Sequence, residues 1–187
     1  MKRLIVLSAP SGAGKTTVAR HLLAQIPNAS FSVSATTRAR RGGEVDGKDY
    51  FFLTREAFAT AIEHDDLIEY EEIFGHYYGT LRSQVKASID SGKILIFDVD
   101  VKGALSLRQA FPDDTLLIFI APPSMEILEH RLRARGTEGV EQIRIRLSRA
   151  EMEMAERDRF DLVIVNDDLQ RTLRDAEEAV RAAIQKP

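Results

Sequence analysis

The chain has 187 residues, 44% of them hydrophobic, with 26 Lys and Arg against 29 Asp and Glu for a net charge of −3, and no cysteine. That size and composition predict one folded unit with a sizeable core. They exclude a disulfide scaffold, a thiolate zinc site, an iron–sulfur cluster and a cysteine nucleophile, and the acidic balance argues against a bulk nucleic-acid binder.

Leu4 to Leu7 is a short apolar run that reads as a buried strand; behind Met1-Lys2-Arg3 it is too short for the apolar core of a signal peptide. Ala9 to Thr16 is Gly-rich, and a helix pattern begins near Lys15. Further along, Ile94 to Phe97, Leu116 to Ile120 and Leu162 to Val165 repeat the strand signature, with helix patterns from near Val101 and Ser124. The last helix carries Leu169, Leu173, Ala176, Val180 and Ile184 at three- and four-residue spacing. Strand–helix alternation of this kind predicts an α/β fold with a parallel sheet flanked by helices. Two stretches break the alternation. Between the first unit and Ile94, Tyr50 to Leu53 and Leu67 to Phe74 suggest an inserted, mainly β subdomain. Its helix is capped by Thr54, with Phe58, Ile62 and Ala61 inward. From Ser124 to Ala155 an Arg-rich helical insertion is interrupted by Gly136 and Gly139, the composition of a movable cover. The longest apolar stretch, Leu116 to Ala121, is far short of a bilayer span, so a cytoplasmic protein without a membrane partner is expected.

Charge is distributed unevenly. Residues 1–41 hold seven Lys or Arg and no acid, residues 44–72 hold ten acids, and residues 131–149 hold six Arg. Two basic segments around an acidic one could bring positive charge to a compact polyanion.

Ala9-Pro10-Ser11-Gly12-Ala13-Gly14-Lys15-Thr16, after a strand and before a helix, is a phosphate-binding loop with Ala9 in place of the usual first glycine. Pro10 holds its predecessor in extended backbone, where alanine fits without strain. Gly12 and Gly14 let backbone N–H groups turn around phosphate oxygens at the positive end of the helix. Lys15 adds a mobile charge for the β- and γ-phosphates, and Thr16, with Asp98 at the end of the strand from Ile94, is the candidate pair for Mg²⁺. The loop points to a nucleoside triphosphate and leaves the acceptor open.

The acceptor side rests on a resemblance. Ser34 to Glu44, Gly47 with Tyr50 to Phe52, Gly75 to Thr80, Asp98 to Gly103, His130 to Gly136 and Val163 to Asp168 are similar, in order and over essentially the whole chain, to segments of guanylate kinases. The resemblance implies a core of residues 1–33, 87–124 and 156–187, a GMP-binding insertion at 34–86 and a lid at 125–155. It implies ATP and GMP as substrates, Mg²⁺ as cofactor, and ATP contacts extending through Thr17 to Asn166. Arg38 and Arg41, with the hydroxyls of Tyr50 and Tyr78, look like the family's clamp on the GMP phosphate. Glu69 and Asp100, with Ser34 and Thr80, resemble its guanine-reading set: guanine offers N1–H and N2–H₂ donors, which a carboxylate accepts and adenine lacks at N1. Arg131, Arg135 and Arg146 match lid positions that reach the phosphates and, with Lys15 and Arg38, form the implied catalytic set. Arg133 would point elsewhere, and Arg144 and Arg149 are read as surface residues. Lys102, where an amide is expected, and His76, where Asn is frequent, depart from the pattern. Two alternatives stay open: a kinase-like module that binds phosphorylated peptide without catalysis, and a P-loop kinase for a phosphorylated sugar. Whether the chain forms a homo-oligomer is not legible.

Overall fold

The computed structural model describes residues 1–73, 75–134 and 139–185. In chain order the first elements are β1 (Leu4–Ser8), α1 (Lys15–Gln25), β2 (Ala29–Phe31), β3 (Ala35–Thr36), β4 (Phe51–Phe52), α2 (Arg55–Glu63), β5 (Leu67–Ile73), β6 (His76–Leu81) and α3 (Arg82–Asp90). They continue with β7 (Ile94–Asp98), α4 (Val101–Ala110), β8 (Thr115–Ala121), α5 (Met125–Ala134), α6 (Val140–Ala155), β9 (Leu162–Val165) and α7 (Leu169–Gln185).

The core sheet runs β2-β7-β1-β8-β9, with every pairing parallel. Its strands need to be apolar throughout because helices cover both faces. Ile5, Leu7, Ile94, Ile96, Ile118 and Ile120 pack on one face with residues of α1 and α7. The alternating partners Leu4, Val6, Leu95, Phe97, Leu117 and Phe119 pack on the other, with Val85 of α3 and Ala104 and Leu107 of α4. Each fully buried side chain of this kind contributes about 1.5–3 kcal/mol, so these two clusters hold the scaffold far more firmly than surface ion pairs do.

The fold class follows the sequence expectation, and all four apolar runs are core strands. Two core elements lacked a signal. β2 is three residues long with Phe31 38% exposed, so it shows no apolar run, and α3 buries only Val85, so it shows no stripe.

The second sheet runs β4-β3-β6-β5, with β6 antiparallel to both β3 and β5. Thr54 caps α2 by accepting from the Ala57 N–H at 3.1 Å, and Phe58 and Ala61 are buried with Ala35 and Leu67. Gly79 is required at the tightest point of this sheet: a Cβ there would meet the Glu69 carbonyl oxygen at 2.7 Å and the Phe58 ring at 3.2 Å. The helical insertion is α5 packed on α6 through Leu128, Leu132, Ile143 and Ala150. Gly139 immediately precedes α6, whereas Gly136 lies outside the described residues. Among the described residues no helix is long and apolar enough to cross a membrane.

Candidate active site

The phosphate loop leaves β1, the middle strand of the core sheet, where the chain order splits to either side. Such a switch point opens a crevice beyond the strand ends. Gly12 and Gly14 have φ values of 97° and 106°, a region that side chains strain to enter. An added Cβ at Gly14 would also stand 2.3 Å from Nδ2 of Asn166. Gly14 precedes α1, whose first turn carries no acid. The N–H groups that begin a helix lack intrahelical acceptors and form the positive end of its dipole, so this end suits an anion. Ala13 closes the turn by donating its N–H to the Pro10 carbonyl at 3.0 Å. Ala9, Pro10, Ser11, Thr16 and Thr17 line a cleft of about 560 Å³ with Lys15 and Arg146.

The register that pairs Leu7 with Asp98 carries the carboxylate to the loop. Lys15 Nζ lies 2.7 Å from Asp98 Oδ1 and donates to the Val99 carbonyl at 2.7 Å, while the Thr16 hydroxyl donates to Asp98 Oδ2 at 3.2 Å. A hydroxyl beside a carboxylate is the sparse oxygen set Mg²⁺ uses when substrate phosphates and water complete its shell, so these residues fit that ion. Among the described residues no group of three or more His, Asp or Glu side chains is placed to hold a metal by itself. Asn166 is buried against the same loop. Its Nδ2 donates to the Ala13 carbonyl at 2.7 Å and its Oδ1 accepts from the Thr172 hydroxyl at 3.2 Å, so both ends of the amide tie β9 and α7 to the loop.

Lys15 and Asp98 also line a smaller cavity of about 200 Å³, whose other walls include Ser34, Glu69, Tyr78 and Asp100. Glu69 and Thr80 are directly opposed across β5 and β6, and the Thr80 hydroxyl donates to Glu69 Oε1 at 2.6 Å. Burial pushes the Glu69 carboxyl above its ordinary range; the Thr80 bond acts in the other direction, and the charge of Asp100 adds to the rise. Asp100 caps α4, its Oδ1 accepting from the Gly103 N–H at 2.8 Å. The ring of Tyr78 meets that of Tyr50 edge-on at 6.1 Å, and the Arg38 guanidinium lies over the Tyr50 ring at 5.2 Å.

Arg38 has an internal partner. Its Nη2 and Nη1 donate to the two carboxylate oxygens of Glu44 at 2.6 and 3.1 Å, and Nη1 donates to the Ala39 carbonyl at 2.8 Å. Glu44 also accepts from the Arg41 backbone N–H at 2.7 Å. The Arg38 bond, then that N–H, hold the Glu44 carboxyl below its usual range, and the same bond raises the guanidinium. The Arg41 side chain stays exposed. Three of the five guanidinium donors of Arg38 are thus engaged by Glu44 and Ala39, and Tyr78 adds a further side-chain interaction with the same group.

On the helical insertion, Arg146 donates to the Ser11 hydroxyl and Arg131 donates to the Asn166 carbonyl at 2.8 Å. Arg135 lies outside the described residues. Arg133 and Arg144 pair with Glu129 and Glu141 along their own helices. Arg149 is exposed, as expected, but it is also engaged on the cleft wall: Nη2 donates to Asp100 Oδ2 at 3.2 Å and Nε to Glu153 at 3.0 Å. The signal for it was the three-residue spacing from Arg146, which puts both on one helix face.

A phosphate loop at the switch point of a parallel sheet, with one insertion facing its lysine and a second bearing arginines onto it, defines the architecture of a P-loop kinase. The family described as guanylate kinase matches residues 1–183. The chain is 50% identical to the guanylate kinase of Chlorobium luteolum, over 97% of this chain and 90% of that one. It is 46% identical to that of Porphyromonas gingivalis over the full length of both. The crystal structure of guanylate kinase from Anaplasma phagocytophilum superposes with a TM-score of 0.71 at 36% identity, covering 99% of this chain and 87% of that one. The chain belongs to the guanylate kinase family of enzymes.

Proposed function

We propose that the chain transfers the terminal phosphoryl group of ATP to GMP, giving ADP and GDP. The observation that carries the reading is the shared wall: Lys15 and Asp98 of the phosphate-loop side face the same cavity as Ser34, Glu69, Tyr78 and Asp100 of the acceptor side. ATP phosphates would lie in the cleft lined by residues of the Ala9 to Thr17 loop, and the acceptor base beside Glu69, Thr80 and Asp100. Arg38, Tyr50 and Tyr78, with Arg41, would hold the GMP phosphate; a guanidinium fork suits a phosphate monoester. A GMP phosphate oxygen forms the new bond to the γ-phosphorus as the bond to the ADP oxygen breaks, so no side chain acts as nucleophile. Mg²⁺, held by Thr16 and Asp98, would neutralise charge on the phosphate oxygens. Lys15 contributes fixed positive charge from the loop, and Arg131 and Arg146 from the lid, with Arg135 as a further lid candidate. Residues 34–86, apart from the part of α3 whose Val85 is packed in the core, and residues 125–155 would close over the core to position both substrates and exclude water. Lys15, Thr16 and Asp98 together favour this reading over a module that binds without catalysis, and the opposed Glu69 and Thr80 favour it over a sugar-phosphate kinase.

Glu69→Gln tests the reading. The amide keeps the carboxylate shape, and its oxygen can go on accepting from Thr80, which leaves the NH₂ facing the N1–H donor of guanine. At about 1–3 kcal/mol for a charge-assisted hydrogen bond, kcat/KM for GMP should fall roughly ten- to a hundredfold. AMP, with an acceptor at N1, should lose less, so the GMP/AMP ratio narrows. An unchanged ratio in a folded variant would remove Glu69 from base recognition.

A further inference from the structure

Asp100 is held at both ends. Its Oδ1 is taken by the Gly103 N–H, and Oδ2, the oxygen left to face a ligand, is the one Arg149 reaches at 3.2 Å. Capping α4 restrains where the carboxylate starts, but the terminal carboxylate torsion is broad and roughly two-fold. A second donor on Oδ2 narrows it. Arg149 is itself braced by Glu153 one helical turn along α6, at 3.0 Å. Its charge also stands among Asp100, Glu71 and Glu153, acids that would otherwise repel one another. A carboxylate oxygen accepts two donors, so Arg149 can steady Oδ2 and still leave a lone pair for guanine N–H.

We propose that Arg149 is a positioning residue for acceptor-base recognition, acting through Asp100. The inference rests on the proposed placement of the GMP base beside Asp100. The lid helix α6 then serves both substrates, bringing Arg146 to the phosphate loop and aligning a base-reading carboxylate from the far side of the cleft. Arg149 is about half exposed and Asp100 about a third, which limits the worth of the pair to the range of well-placed surface ion pairs.

The test is a double-mutant cycle on the full chain, reading the GMP dissociation constant by calorimetry and kcat and KM for GMP and ATP by ADP release. The variants are Arg149→Ala, Arg149→Lys, Asp100→Asn and the double variant Asp100→Asn/Arg149→Ala. Asn caps a helix as well as Asp does, so α4 should stay formed. Arg149→Ala should raise the GMP dissociation constant and KM about fivefold, with kcat and the KM for ATP changing by less than about twofold. Lys, which keeps the charge but not the fork, should restore part of the loss. In the Asp100→Asn background the Ala substitution should add less than about twofold, because its effect runs through the missing charge. If Asp100→Asn weakens GMP binding while Arg149→Ala is silent, additive with it, or raises the KM for ATP instead, the role of Arg149 is overturned and the acceptor reading stands. If Asp100→Asn leaves GMP binding unchanged, the placement of the base fails, and this inference with it.

Discussion

Lys15→Ala should lower kcat for phosphoryl transfer by about 10²- to 10³-fold, the cost typical of removing one preorganised donor from a developing negative charge. The fold should survive. Lys15 packs no core surface; its bonds are to Asp98 and to the Val99 carbonyl at the partly exposed mouth of the cleft, where an ion pair contributes little to stability. ADP release measures the first effect and a melting curve the second. Turnover near that of the unaltered chain, with an unchanged melting temperature, would take Lys15 out of the chemistry.

Arg38→Ala should raise the KM for GMP by about a hundredfold or more, beyond the loss of one charge-assisted fork. In the structure Glu44 is bound across Arg38, with the Arg41 N–H as its other donor. Removing the guanidinium strips the proposed phosphate site of its main cation and leaves a carboxylate facing the incoming dianion, so repulsion adds to the lost bonds. The double variant Arg38→Ala/Glu44→Gln should therefore bind GMP better than Arg38→Ala alone. Because the change is remote from the base edge, the GMP/AMP ratio should hold. Steady-state kinetics with both nucleotides measure all three effects; a KM rise below about tenfold, or no relief from Glu44→Gln, would contradict this account of the clamp.

The parts of the site that spacing alone makes legible are those whose geometry is local. Gly12, Gly14, Lys15 and Thr16 lie within five consecutive residues between an apolar run and a helix pattern, so spacing alone conveys the loop. Thr54 and the Phe58, Ala61 stripe are equally local. Partners set by the path of the chain were legible only where the loop motif or the family resemblance supplied them, as for Thr16 with Asp98 and Glu69 with Thr80; the others were not. Arg149 and Asp100 are 49 residues apart and meet only because α6 lies beside the start of α4. Glu44 stands in the motif that suggested the acceptor site, but its hold on Arg38 depends on how the turn folds back. Asn166 reads as a polar residue after a strand; that its amide points inward to Ala13 and Thr172 follows from the packing of α7. β2 escaped notice for the opposite reason: an edge strand of three residues needs little apolar surface, so it leaves no run to detect.

ADP release from ATP with equal concentrations of GMP, AMP, CMP and UMP as acceptor addresses the proposed reaction most directly. A site built to accept hydrogen bonds from guanine leaves its carboxylates unpaired against other bases, a mismatch that discriminates by several orders of magnitude where such groups are buried. Glu69 is only partly buried, so the rate with GMP should exceed that with AMP by about a hundredfold or more, with CMP and UMP lower still. Release with GMP no faster than without an acceptor, or equal rates with GMP and AMP, would contradict it.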